Sequence, residues 1–183
     1  MNLIRTAAIS AVAIALTACA TPAQVDSMTT NKSFIASAST SPLRGNIAIK
    51  DVIGGEETNP LWTSKISAAD FERALEASLQ GAGLLAARQS GKNVLSVHLQ
   101  KLDQPLIGIS FTVTATVNYR LTERATGKVL YEKDISVPYT ATFGDAAMAI
   151  TRLRLANEGA ARTNIEAFID EVLALRIGEV ALN

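Results

Sequence analysis

Apolar positions along this chain recur with two periods, and the clearest is a period of two. Ile109, Phe111, Val113, Ala115, Val117, Tyr119 and Leu121 share one parity, and Ser110, Thr112, Thr114, Thr116, Asn118, Arg120 and Thr122 share the other. Alternation held this long predicts a half-buried antiparallel strand with its Thr-rich face in water. Residues 125–128 (ATGK) form a turn signal, and 129–139 return as the hairpin partner. Pro138 cannot donate to a ladder, which assigns that end to an edge or a bulge. An earlier run sets Leu95, Val97 and Leu99 against Ser96, His98 and Gln100 and predicts another strand. Residues 46–53 (NIAIKDVI) predict a first strand that Gly54-Gly55 end, and 84–87 a short edge strand before the 90–93 turn.

The second period, 3.6, marks two helices. Ser67 and Asp70 fit a capping box, Ile66 and Phe71 stand where a hydrophobic staple belongs, and Gly81 or Gly83 stops the helix. Phe71, Ala74, Leu75, Ser78 and Leu79 keep one face between those limits. Asp145 is placed to cap a terminal helix over 146–175. The second half of that helix is amphipathic through Ala161, Ile165, Phe168, Ile169 and Val172. Its first half is not: Met148, Leu153 and Leu155 spread around the axis, while Arg154 and Asn157 continue the core stripe. Arg154, Glu158, Arg162 and Glu166 are spaced for i,i+4 ion pairs, each worth about 0.2–0.5 kcal/mol. The order β-α-(β)-β-β-β-α predicts an α+β fold. It is a two-layer sandwich with an antiparallel sheet of about four strands and two helices on one face.

The start of the chain has a different character. Arg5 precedes an apolar run, 6–16, too short to span a hydrocarbon core of about 30 Å, and Leu16-Thr17-Ala18-Cys19 follows. That box suits removal of 1–18 as a signal peptide and lipidation of Cys19, with palmitate-type acyl chains on the sole cysteine. Two or three acyl chains anchor stably where one does not. Ala20 stands where an Asp would redirect sorting, so the outer membrane is expected, with the domain in the periplasm. Residues 19–44 are Ser/Thr/Ala-rich without a period and read as a lipidated N-terminus and flexible tether, which leaves 45–183 as a single domain. Phe34 and Ile35 are the residues of that stretch that could dock instead.

Charge and chemistry narrow the function. Loss of 1–18 removes Arg5 alone, leaving 16 basic against 17 acidic residues. No basic stripe exists for nucleic acid and no polybasic patch for anionic lipid. His98, the single histidine, lies on the polar side of a strand, so neither a catalytic triad nor a zinc set can be assembled. No phosphate loop, dinucleotide fingerprint or nucleophile elbow occurs, and no cofactor is expected. Asp51, Glu56 and Glu57 bracket Gly54-Gly55 without calcium-loop spacing. Candidate partner contacts are Trp62, the Thr112, Thr114 and Thr116 face, and Met148, Leu153, Arg154 and Leu155 at the poorly amphipathic helix start.

The Leu-x-x-Cys box, the Ser/Thr stretch, the strand, the capped helix, the long hairpin around Thr126-Gly127-Lys128 and the final helix with Asn157, Arg162 and Asn164 come in a familiar order. In these features the chain resembles the YajG-like small lipoproteins of Gram-negative bacteria. More distantly it is similar to accessory outer-membrane lipoproteins of LPS assembly, synthase activation and curli-type secretion. The resemblance implies a non-enzymatic envelope role through protein contacts and supplies no catalytic residues. The alternative is a periplasmic binder of a small or lipidic ligand held between sheet and helices.

Overall fold

The long alternation becomes β3 (Phe111–Glu123), an inner strand whose odd-numbered residues from Phe111 to Leu121 are all buried. We describe it from a computed structural model covering residues 20–60 and 63–175. The sheet order is β1 (Ile47–Gly54), β2 (Asn93–Asp103), β3 and β4 (Val129–Ala141). Ile109 drops out of the expected strand: it is exposed in the 104–110 loop, because pairing with β4 begins at Phe111↔Ala141. Pro138 lies on β4, the sheet's edge strand, where its missing N–H can face outward.

The α+β sandwich is as the sequence implied, with one change of direction. β1 pairs with β2 in parallel, so the sheet is mixed rather than wholly antiparallel. The cause is the helix between them: α3 (Ala68–Gly81) returns the chain to the end where β1 began, as a crossover must. The predicted 84–87 strand is reduced to a single bridge, Ile47↔Leu85. At the close of β1, Gly54 and Gly55 take φ of +82° and +69°. A Cβ on Gly54 would collide with the Leu99 carbonyl, so glycine is required there by both conformation and space.

α3 starts as its capping residues indicated. Ser67 Oγ accepts from the Asp70 N–H (3.2 Å), while Asp70 takes the Ser67 hydroxyl (2.8 Å) and pairs with Arg73. The terminal helix α4 (Ala149–Leu173) starts later than expected, with Met148 as an N-cap that makes no side-chain cap. Asp145 closes its own turn instead, accepting from Thr142 N (2.7 Å) and Thr142 Oγ1 (2.8 Å). That backbone bond, then the hydroxyl, hold its carboxyl below the ordinary range.

Residues 20–44 correct the tether expectation most clearly. They include α1 (Val25–Met28) and α2 (Ile35–Ala38), and Ala23, Met28, Phe34, Ala38 and Leu43 join the main core with Phe71, Leu75 and Leu79. Ile35 alone of the suggested docking pair stays exposed. Burial of each Met or Phe side chain contributes roughly 1.5–3 kcal/mol toward the cost of ordering this segment, and several such residues share it.

Helix and sheet meet through a polar bolt. Asn164, fully buried, donates to the Ala115 and Ile135 carbonyls (both 2.9 Å) and accepts the Tyr119 hydroxyl (2.9 Å). The Tyr119 ring stacks on Phe168 at 4.2 Å and 6°. Asn164→Leu would strand the Tyr119 hydroxyl and two carbonyls, so a loss of about 2–3 kcal/mol is expected in urea unfolding. Adding Tyr119→Phe should recover part of that loss, and strict additivity in the double-mutant cycle would contradict the bolt.

At the far end of α4, Lys133 Nζ and the Tyr131 hydroxyl donate to the two oxygens of Glu171, each at 2.8 Å. The lysine bond is the main cause holding the Glu171 carboxyl below its ordinary value, against a partial burial that raises it. Burial, then the Glu171 bond, push Tyr131 far up. A depressed carboxylate stabilises the fold above its unfolded pKa of about 4.3, and that contribution disappears as pH falls through the folded value. Lys133→Ala should therefore raise the Glu171 pKa and flatten the stability loss below about pH 4.3, both measurable by carboxyl NMR titration and acid unfolding.

Candidate functional site

The most built feature of the surface is a clamp between the first described residues and α4. Glu158, Arg162, Glu166 and Asp170 fall at intervals of four, so they stand in one line along the helix. Gln24 N–H donates to Glu158 Oε1 (2.9 Å), and Arg162 donates to the Ser27 carbonyl (2.8 Å). Thr30 Oγ1 donates to Glu166 (2.7 Å), and Lys32 pairs with Asp170 at 2.6 Å. Thr30 N–H reaches across to Ser78 Oγ on α3 (3.1 Å). The expected intrahelical ion pairs are thus replaced, except Arg154–Glu158 at 2.7 Å. Glu158 is itself buried, and burial of a carboxylate is tolerable only with such partners. Ala20, which precedes this segment and follows Cys19 in the sequence, is held by the 55–67 loop instead: it is 4% exposed, and its N–H donates to the Pro60 carbonyl (2.8 Å).

The same helix stitches together one end of the molecule. Because β1 and β2 run together and β3 and β4 are their antiparallel neighbours, the 55–67, 104–110 and 142–148 loops gather at that end. Asn157 donates to the Ser64 carbonyl (2.9 Å) and accepts from Gln104 (2.7 Å), and Gln104 also reaches Ser64 O (2.9 Å). Arg152 donates to the Ala146 and Ala147 carbonyls (2.8 and 2.7 Å) and lies over the rings of Phe111 and Phe143. An open groove of about 840 Å³ crosses this end, lined by Glu56, Glu57, Asn59, Asp103, Leu106 and Leu153 among others.

The sequence-derived candidates separate accordingly. Thr112 and Thr116 point outward, yet their hydroxyls meet Thr140 (2.8 Å) and Ser136 (3.1 Å) across the hairpin, and Asn118 meets Asp134 (2.7 Å). Thr114, half-buried, lies between them opposite Pro138. Leu153 is buried in a small cluster with Phe111, Val113 and Ala156, and Leu155 packs against it. Arg154 is occupied by Glu158, and only Met148 of that group is open. Cys19 and Trp62 lie outside the described residues. His98 is exposed opposite Asn118. Among the described residues no group of three or more His, Cys, Asp or Glu is placed to hold a metal. No described helix is long and apolar enough to cross a membrane.

Neither a protein-family model nor a curated protein matches the chain in sequence. Its fold does have counterparts. A Xanthomonas campestris protein of family model DUF330 superposes with a TM-score of 0.53 at 11% identity, over 70% of this chain and 83% of that one. A hypothetical protein of Chlamydia trachomatis gives 0.52 at 10% identity, over 72% and 97%. A minor lipoprotein of Acinetobacter baumannii gives 0.47 at 9% identity, over 72% and 94%. With the Xanthomonas and Chlamydia proteins, what is shared at such identities is the fold, and function must be argued from the site.

The clamp makes a direct prediction. Glu158→Ala removes the acceptor for Gln24 and leaves Arg154 half-buried without its partner, costs of about 1–3 kcal/mol. Amide exchange over residues 24–32 should then accelerate about tenfold or more. Wild-type amides there already exchanging at free-peptide rates would refute the clamp.

Proposed function

We propose that this chain is a lipid-anchored protein of the Gram-negative outer membrane, facing the periplasm and serving an envelope complex as a non-catalytic accessory or scaffold partner. The observation that carries the reading is the joining of an acylation box to a fixed first residue. Cys19 completes Leu-x-x-Cys, and Ala20 is already packed on Pro60. Acyl chains on Cys19 would therefore anchor the folded domain itself, with no length of free chain between. The inward polar side chains of α4 are engaged in structure: Asn157 and Arg152 hold loops, Glu158 and Arg162 hold the N-terminal segment, and Asn164 holds the sheet. The resemblance to YajG-like lipoproteins belongs to this proposal, as does the expectation of an envelope protein as partner.

A small or lipidic ligand is the second reading, and the groove favours a different place for it from the one expected. Between sheet and α4, the Tyr119–Phe168 stack and the contact of Gly159 with the Tyr139 ring fill the middle of the interface. The roughly 840 Å³ groove beside Leu106 and Leu153 lies in the size range of small-molecule sites, although carboxylates line its rim.

Labelled palmitate should enter the wild-type protein and not Cys19→Ser, and the variant should leave the membrane fraction with an unchanged unfolding midpoint. Membrane partitioning of Cys19→Ser, with no label in the wild type, would defeat the anchor.

A further inference from the structure

Eight large hydrophobic side chains are exposed among the described residues, and five of them, Leu106, Ile107, Ile109, Phe143 and Met148, belong to two loops at one end. Leu106, Ile107 and Ile109 are 91%, 89% and 78% exposed, side by side in one loop. Consecutive apolar residues presented this openly signal a contact surface rather than scattered surface leucines. Their loop shares a groove with Asn59 and Thr63, and Phe143 is held beside Phe111 by the Arg152 guanidinium.

The chain's own start says what meets this surface. Ala20 is bonded to Pro60 at the same end, and Cys19 is its covalent neighbour in the sequence. Acyl chains on Cys19, if attached as proposed above, would leave the domain next to Ala20 and the 55–67 loop it is bonded to. We propose that the Leu106-Ile107-Gly108-Ile109 tip and Phe143 enter the lipid interface next to those chains. The protein then lies on the membrane in one fixed orientation, held by lipid and loops together. This inference rests on the anchoring of Cys19 proposed above.

Charge selects the lipid. This end carries Glu56, Glu57, Asp145 and, at the close of β2, Asp103 against Lys65, Lys101 and Arg152, with Glu56–Lys65 (3.3 Å) and Lys101–Asp103 (2.6 Å) paired. A mildly acidic rim favours zwitterionic headgroups and disfavours anionic ones. Apolar insertion, unlike attraction to anionic lipid, should be insensitive to salt.

The acylated full-length protein provides the test, because its single native cysteine is consumed by lipid and one introduced cysteine can be labelled uniquely. Nitroxides at Ile107→Cys, Phe143→Cys and, at the opposite end, Lys128→Cys would be compared in phosphatidylcholine vesicles. Accessibility to oxygen relative to a water-soluble nickel complex should be several-fold higher at 107 and 143 than at 128. It should hold at high salt and fall when phosphatidylglycerol is added. Equal ratios at all three sites, with the protein still acylated and vesicle-bound, would overturn the insertion and leave the anchor standing. Protection of 107 in native envelopes but not in pure lipid would overturn it in favour of a protein partner. A chain that takes no acyl group would remove the anchoring reading and this inference together.

Discussion

Everything distinctive about this molecule depends on a row of four polar side chains, Glu158, Arg162, Glu166 and Asp170, gripping the chain between Gln24 and Lys32. Each contact alone is modest, about 0.5–1.5 kcal/mol net for a hydrogen bond and less for an exposed ion pair. They act on a segment that also buries Met28 and Phe34, so polar and apolar contacts order the same residues. The grip turns what composition describes as a linker into a third face of the core. Its consequence is mechanical: whatever is attached to residue 19 is attached to the domain.

The same helix accounts for the arrangement of the loops. α4 is not amphipathic through its first half because several of its inward positions are polar, and each of those has a loop or strand to satisfy. Asn157 joins the Ser64 carbonyl to the Gln104 side chain, Arg152 holds the Ala146 and Ala147 carbonyls, and Asn164 holds two strand carbonyls. Buried polar groups of this kind add little net stability when paired and cost much when orphaned. They therefore select one loop arrangement over its alternatives. Glycine at 159 serves the same closeness, since a Cβ there would run into the Tyr139 ring.

Much of this was legible in the sequence, for identifiable reasons. The β3 alternation, the Ser67 cap, the turn at Gly127 with φ +73° and the edge position of Pro138 are each dictated by local geometry, which a sequence carries directly. Long-range pairing was not legible. The parallel direction of β1 follows from a crossover whose length alone did not distinguish it, and Asp145 had two turns it could serve. Ala23, Met28, Phe34, Ala38 and Leu43 enter the core at uneven spacing, so no period betrays their burial. The signal was present on the partner side, in polar residues every fourth position of α4, but ion pairing within the helix explained that spacing equally well. The exposed Leu106-Ile107 tip was hidden by its neighbours, whose alternation ran on past the true start of β3.

With Cys19 acylated as proposed, the folded domain sits on the bilayer without an intervening length of free chain. Neutron reflectometry of the acylated protein on a supported phosphatidylcholine bilayer measures this directly. Protein density should begin at the headgroup plane, with no water layer between. A hydrated gap approaching the roughly 25–30 Å reach of a free 24-residue tether would contradict it.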